Sequence, residues 1–86
     1  MVSKEMLITN PQGLHARPAT LLVQKATRYK SEVIIEKGGK SANAKSLIGV
    51  LSLGISKGAT IKVITKGTDE NVALKDIVSL IESFES

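Results

Sequence analysis

The pair Gly38-Gly39 constrains the fold most strongly, because it joins two short stretches that each have the composition of a β-strand. Glycine reaches the positive φ angles that tight hairpin turns require without steric cost. Residues 32–37 (Glu-Val-Ile-Ile-Glu-Lys) are β-branched at their centre, which favours a strand. Residues 40–44 follow the turn and are predicted to return as the partner strand. The middle of the chain is therefore predicted to be an antiparallel hairpin.

Two longer stretches repeat apolar residues at the three- and four-residue steps of an amphipathic helix. The first runs from Pro18 to about Tyr29. The second runs to about Phe84, and either Thr68 or Asp69 can cap its start. The stripe that this last helix is predicted to bury consists of Leu74, Ile77, Val78, Ile81 and Phe84.

Two further strands and a third helix complete the predicted order of elements. Residues 4–9 are predicted to form a terminal or edge strand, followed by a turn over residues 10–13. Residues 60–66 alternate in polarity, which predicts a strand with one buried face, and a short helix is predicted after Ser46. The order β-α-β-β-α-β-α indicates an α+β fold, in which an antiparallel sheet carries its helices on one face.

The size and composition of the chain restrict its class. Eighty-six residues are enough for one small domain, predicted over residues 1–86. The chain has no cysteine, and no cluster of histidines or carboxylates has the spacing of metal ligands, so we expect neither a metal nor a cofactor. No apolar run approaches the roughly 20 residues of a membrane span, and no signal peptide is evident. We therefore expect a cytoplasmic protein without membrane insertion.

The formal net charge is +4, so nucleic-acid binding has to be considered. The basic residues are spread along the chain, and one tyrosine and one phenylalanine are too few for a base-stacking platform. Dedicated nucleic-acid recognition is therefore not expected. A basic surface that contacts acidic protein partners is an alternative explanation of the charge.

Residues 13–20 (Gly-Leu-His-Ala-Arg-Pro-Ala-Thr) place the single histidine of the chain at the start of the first predicted helix. Pro18 suits a first helical turn, and the first amides of a helix attract anions. Arg17 adds a planar cation that matches phosphate oxygens, and the imidazole of His15 can act as a nucleophile near neutral pH. This combination suggests a histidine that accepts a phosphoryl group.

The predicted short helix after Ser46 poses a choice between core and surface. From the local pattern alone, Ser46 is most simply an N-cap. At least two of the four apolar residues that follow are expected in the core, while a patch around Leu47 and Ile48 is expected to stay exposed beside His15 and to dock partners together with Leu51. These four apolar residues are Leu47, Ile48, Leu51 and Leu53.

Residues 13–20 resemble the active-site signature of HPr, the histidine phosphocarrier family of the bacterial phosphoenolpyruvate:sugar phosphotransferase system. Residues 39–54 resemble the regulatory-serine signature of the same family. The resemblance implies a monomeric open-faced sandwich with four antiparallel strands and three helices. It also implies that the δ1 nitrogen of His15 carries a phosphoryl group from enzyme I to sugar-specific IIA proteins, without turnover of its own. The amides of Ala16 and Arg17 and the guanidinium of Arg17 would hold the phosphoryl oxygens.

The resemblance gives Ser46 a second role besides capping. In relatives from low-GC Gram-positive bacteria, the serine at this place is phosphorylated by HPr kinase/phosphorylase. The phosphorylated form transfers more slowly at the histidine and binds a catabolite-control transcription regulator. A phosphate at a helix N-terminus is compatible with the helix dipole, and its charge would repel an acidic partner.

Two close alternatives and one distant one remain. The close ones are paralogues that act in nitrogen-linked regulation or only in catabolite repression. His15 argues against the repression-only branch, for which the resemblance predicts another residue, and the segment around Ser46 argues against the nitrogen branch. The distant alternative is a small α+β binding module, which would not require residues 13–20.

Overall fold

The computed structural model describes residues 1–85 and has the predicted order of elements. Ser86, the last residue of the predicted domain, lies outside the described residues. The strands are β1 (Val2–Leu7), β2 (Glu32–Lys37), β3 (Lys40–Asn43) and β4 (Thr60–Lys66). The helices are α1 (Ala16–Ala26), α2 (Leu47–Ser52) and α3 (Glu70–Glu82), and a 3-10 turn (Ser83–Glu85) follows.

The four strands form one antiparallel sheet in the order β1-β4-β2-β3. Alternation along β4 turns Ile61, Val63 and Thr65 into the core, while Lys62 and Ile64 on the other face stay partly exposed. Side chains of all three helices pack onto the buried face of the sheet, and the opposite face carries no helix. The predicted α+β open-faced sandwich is therefore confirmed.

The first strand and the first helix differ from their predicted bounds by a few residues, and the second strand of the hairpin ends one residue earlier than predicted, at Asn43. The first strand begins at Val2 and ends at Leu7, because the backbone of Ile8 leaves the ladder and bonds instead with Gly58 and Ala59. The first helix begins at Ala16 and ends at Ala26, after which the chain continues in single turns to Tyr29. In α3 the predicted stripe is confirmed at its centre, whereas its outer members are only partly buried: Ile77, Val78 and Ile81 are buried, and Leu74 and Phe84 are half-buried.

Asp69, one of the two residues predicted to cap α3, occupies the N-cap position, but its carboxylate makes no capping hydrogen bond to that helix. It accepts hydrogen bonds instead from the Oγ of Ser31 and from the backbone N–H groups of Lys30 and Ser31, the two backbone bonds being 2.9 Å long. The carboxylate thus joins the loop after α1 to the start of α3. These donors, the Ser31 hydroxyl first among them, lower the pKa of Asp69 from 3.8 to about 2.

Tyr29 links the same end of α1 to the middle of α3. Its hydroxyl donates to the carboxylate of Asp76, and burial together with this hydrogen bond raises the pKa of Tyr29 to about 12. The backbone carbonyl of Tyr29 accepts a hydrogen bond of 2.8 Å from Nζ of Lys45, just before α2. Tyr29, just after the C-terminal end of α1, is therefore bonded both to α3 and to the residue that precedes Ser46 and α2.

We expect Asp69→Asn to lower the free energy of unfolding and to reduce its dependence on acid. The pKa of Asp69 is lower in the folded state, so its contribution is complete above the unfolded pKa near 4 and is lost as the pH falls towards 2. Urea unfolding measured between pH 2 and 7 tests this. Glu32→Gln, which neutralises an exposed carboxylate on β2, is the control. An identical acid slope in wild type and Asp69→Asn would contradict the assignment.

Candidate functional site

The loop before His15 is built against the segment that follows α2. The backbone N–H of Leu14 donates to the carbonyl of Ile55 at 3.0 Å, and the side chain of Leu14 is fully buried. Gly13 lies in the left-handed region, with φ of +59°. A Cβ at this residue would lie 2.3 Å from the carbonyl oxygen of Ile55, so only glycine permits this approach. The contact fixes the backbone immediately before the histidine.

His15 stands at the start of α1, as predicted; it is the N-cap residue and is half-buried. Its backbone is extended, with φ of −115° and ψ of 159°, and its side chain makes no capping hydrogen bond. The first amides of α1 therefore donate no hydrogen bond to the side chain of their N-cap residue, which is the usual acceptor at a helix start. Ala16 and Arg17 are the first two residues of the helix, and both are exposed. Their amides and the imidazole ring thus belong to one helix terminus.

Ala16 has a φ of +51°, a backbone conformation that residues with a Cβ rarely adopt. Such a conformation costs on the order of 1–3 kcal/mol and persists only where the surrounding structure imposes it. Here the buried Leu14 anchors the chain on one side, and the buried Pro18, in the first turn of α1 as predicted, anchors it on the other. The strain is therefore located at the first residue of α1, directly after the histidine.

Asn10 contributes to the site through a side chain that the sequence did not single out. It was predicted only as a turn residue, but it is buried, and its Nδ2 donates a hydrogen bond of 2.7 Å to the carbonyl of Gly13. Asparagine is common at the first position of a β-turn, where its side chain can bond the backbone. That preference was the available signal. It does not reveal that the side chain is buried.

Ser46 caps α2, as the local pattern predicted. Its Oγ accepts a hydrogen bond of 3.1 Å from the backbone N–H of Gly49, and the residue is exposed. A hydroxyl at this place can therefore stabilise the helix while remaining accessible. Lys45, just before α2, bonds to Tyr29, just after α1. Ile55, after α2, bonds to Leu14, just before α1. The cap and the histidine are consequently at opposite ends of the two packed helices.

The expectation that at least two of the four apolar residues after Ser46 lie in the core is wrong. Only Leu53 is buried, and Val50 is the buried residue within α2. The helix has only six residues, and only the side that carries Val50 is buried. Leu47 and Leu51 are each 39% exposed and Ile48 is 81% exposed. The predicted exposure of a patch around Leu47 and Ile48 is confirmed, and Leu51 is exposed with them, whereas the predicted position of the patch beside His15 stays a prediction.

The helices α1 and α2 carry no acidic residue. No Asp or Glu occurs between Glu5 and Glu32, or between Glu36 and Asp69. Basic residues lie on or beside both helices at Arg17, Lys25, Arg28, Lys45 and Lys57. The charged residues on α1 and in the segments beside α2 are therefore all basic, which favours an acidic binding partner.

Among residues 1–85, no group of three or more His, Cys, Asp or Glu side chains is arranged to hold a metal ion. Within the same residues no helix has the length and apolar character needed to cross a membrane.

Comparison with known proteins identifies the family. The family model described as the PTS HPr component phosphorylation site matches residues 2–83. The chain belongs to the HPr family. HPr proteins are phosphocarriers of the phosphotransferase system, whose partners include enzyme I and IIA components.

Individual relatives of both HPr and HPr-like type are similar to this chain. The HPr-like protein Crh of Halalkalibacterium halodurans is 49% identical over 95% of this chain and 98% of its own length. The phosphocarrier protein HPr of Borreliella burgdorferi is 44% identical over 99% of both chains. The crystal structure of HPr-C-His from Thermoanaerobacter tengcongensis superposes with a TM-score of 0.96, at 46% identity, over 100% of this chain and 98% of that one. An HPr from the same organism has also been crystallised as a dimer, so the monomeric state expected for this chain stays a prediction.

We expect Gly13→Ala to destabilise the protein more than Gly38→Ala, by about 1–3 kcal/mol. Both glycines have similar positive φ angles, +59° and +55°, so the backbone strain is matched. Only the Cβ at Gly13 collides with backbone, whereas nothing lies within 4 Å of a Cβ at Gly38. The difference in urea midpoints isolates the contact with Ile55. Equal destabilisation would show that this contact is not tight.

Proposed function

We propose that this chain is a general phosphocarrier of the phosphotransferase system, with His15 as the residue that carries the phosphoryl group. Enzyme I would supply the group, and sugar-specific IIA proteins or domains would accept it during sugar uptake. The observation that carries the proposal is the placement of a half-buried imidazole at a helix N-terminus whose cap it does not fill. An anion formed on the ring would meet the amides of Ala16 and Arg17.

The transfer is a substitution at phosphorus between two histidines. The lone pair of Nδ1 of His15 attacks the phosphorus of phosphohistidine on enzyme I. The new N–P bond forms as the old one breaks, and the donor imidazole leaves with its electron pair. In the second step a histidine or cysteine of the acceptor attacks the phosphorus, and the bond from Nδ1 of His15 to phosphorus breaks. Such reactions depend mainly on alignment and charge stabilisation, which a fixed backbone around His15 supplies.

Arg17 would stabilise the phosphoryl oxygens from a more mobile position. The side chain is exposed and starts from the second residue of α1, directly after the strained Ala16. A guanidinium offers paired N–H donors in one plane, which match two phosphoryl oxygens. Its reach lets it contact the group when His15 is phosphorylated and release it when a partner docks.

The docking surface would be the apolar patch formed by Leu47, Ile48 and Leu51. It is exposed on a helix that packs beside α1, and the charged residues on α1 and in the segments flanking α2 are all basic. Enzyme I and the IIA proteins would then present apolar contacts surrounded by acidic residues. The positive charge would accelerate encounter, and the patch would supply the affinity.

Ser46 would be a regulatory phosphorylation site, with HPr kinase/phosphorylase and a catabolite-control transcription regulator as further partners. The hydroxyl is exposed, and its capping bond from the amide of Gly49 can be taken over by a phosphate oxygen. About two negative charges would then lie next to Leu47, in a surface that is otherwise basic. Docking of an acidic enzyme I would weaken, which is how the modification would link this carrier to carbon catabolite repression.

A role restricted to catabolite repression is the second candidate, because the relatives include HPr-like proteins named Crh. The presence of His15 favours the phosphocarrier, since the family resemblance predicts a different residue at this place in the repression-only branch. A carrier of this kind would act in the cytoplasm, as a monomer, and would complete no catalytic cycle without its partner proteins.

Incubation with labelled phosphoenolpyruvate and an active enzyme I tests the central proposal. We expect acid-labile, base-stable label on the wild type and none on His15→Ala. Arg17→Lys keeps the charge but loses the planar fork, so its transfer rate should fall at least about tenfold. No label on the wild type, with the same enzyme I shown to be active on a known carrier, would overturn the phosphocarrier. Transfer by Arg17→Lys within twofold of wild type would remove Arg17 from the mechanism.

For the docking patch, we expect Ile48→Ser to weaken binding to enzyme I by about fivefold or more, equivalent to roughly 1 kcal/mol. Stability should change little, because the Ile48 side chain is 81% exposed. Val72→Ser is the matched control, since Val72 is an apolar residue of α3 that is 50% exposed away from the patch. Binding by isothermal titration and unfolding by urea separate the two effects. Equal affinity for the two variants would contradict the assignment of this surface.

A further inference from the structure

Asn10 is a polar residue in a buried position, with 3% of its surface exposed. Two hydrogen bonds join it to Gly13. The side-chain Nδ2 donates to the Gly13 carbonyl at 2.7 Å, and the Asn10 carbonyl accepts from the Gly13 N–H at 3.1 Å. Both polar groups of the Gly13 peptide backbone are therefore bound by one residue. This closes the turn that delivers the chain to Leu14 and His15.

The turn matters for the histidine because the residues on both sides of His15 are constrained. The N–H of Leu14 is bonded to Ile55 at 3.0 Å, and Ala16 is held at a φ of +51°. A strained residue relaxes when one of its flanking anchors loosens. The carbonyl bound by Asn10 belongs to the peptide unit between Gly13 and Leu14. The next peptide unit joins Leu14 to His15. The orientation of the carbonyl determines where the backbone of His15 begins.

We infer that Asn10 is a positioning residue for phosphoryl transfer at His15, an inference that rests on the proposed function. Asn10 acts on the reacting atoms only through the carbonyl of Gly13. Its amide N–H holds that carbonyl, the carbonyl fixes the loop, and the loop presents His15 and the first amides of α1 in one geometry. A displacement of about 1 Å at the reacting atoms costs up to about 100-fold in rate, so a buried donor at this place can control transfer without binding the phosphoryl group.

The inference predicts a change in rate without a change in docking. We expect Asn10→Ala to lower the rate of transfer from enzyme I at saturating concentration by about 10- to 100-fold, with KM within twofold of wild type. Docking is expected to persist because Asn10 is buried and does not belong to the exposed patch of Leu47, Ile48 and Leu51. Ser31→Ala is the matched control for lost stability, since it removes a buried hydroxyl that bonds Asp69 at the other end of α1. Its transfer rate should equal that of wild type.

Asn10→Asp provides a second and independent readout. A carboxylate cannot donate to the carbonyl of Gly13 and repels it, whereas a protonated carboxyl can donate through its O–H. The ratio of the variant's rate to that of wild type should therefore rise as the pH falls from 8 to 5, at a temperature where circular dichroism shows both proteins folded. Dividing by the wild-type rate at each pH removes the titration of His15 itself. A purely structural role for Asn10 would leave this ratio flat.

The possible outcomes distinguish this inference from the proposed function. If wild type takes no label from enzyme I, the phosphocarrier itself fails. If wild type is labelled at His15 and folded Asn10→Ala transfers at the wild-type rate, the positioning role of Asn10 is overturned and the phosphocarrier stands. Should Asn10→Ala not fold, the pH profile of Asn10→Asp decides: a ratio that rises towards low pH supports the inference, and a flat ratio overturns it.

Discussion

The hydrogen bond from the amide of Leu14 to the carbonyl of Ile55, 3.0 Å long, is the contact on which the arrangement of the site depends. It forms only because Gly13 has no Cβ, which would otherwise stand 2.3 Å from that carbonyl oxygen. The contact brings together two segments that are far apart in the chain, one leading into α1 and one leaving α2. The start of α1, which carries the histidine, is consequently held against the segment that leaves α2.

The helix α1 is anchored at both of its ends, which makes it a rigid support for a reacting side chain. At its start the backbone is held by Leu14 and Ile55. At its end the Tyr29 carbonyl accepts from Lys45, and the Tyr29 hydroxyl donates to Asp76. These hydrogen bonds join the ends of α1 to α3 and to the segments on either side of α2. They add to the packing of α1 in the apolar core. A small carrier that must fit several partners in turn benefits from such preorganisation, because less ordering is required each time it docks.

Features that depend on neighbouring residues were predictable from the sequence, and those that depend on distant partners were not. The hairpin at Gly38-Gly39 and the alternation along β4 are local patterns, and the structure confirms both. Asp69 is one of the two predicted caps of the last helix, but its carboxylate accepts hydrogen bonds from the loop after α1, which no local pattern reveals. The positive φ of Ala16 is equally hidden, since alanine carries no signal for it and the flanking anchors impose it. The length of α2 explains the remaining error, because six residues offer the core too few positions for its apolar content.

The charge distribution offers a physical account of how the proposed carrier would exchange partners. Without modification the chain carries a formal net charge of +4, and the charged residues on α1 and in the segments beside α2 are all basic. A phosphoryl group on His15 would add about two negative charges at the start of α1, beside Arg17. Attraction to an acidic donor would therefore be strongest before transfer and weaker afterwards, which favours release of the loaded carrier. The apolar patch is unaffected by this change, so it would continue to provide the contact through which an acceptor binds. Phosphorylation of Ser46 would impose the same loss of charge at the other end of α2 before any donor arrives, and a single electrostatic effect would then serve both release and regulation.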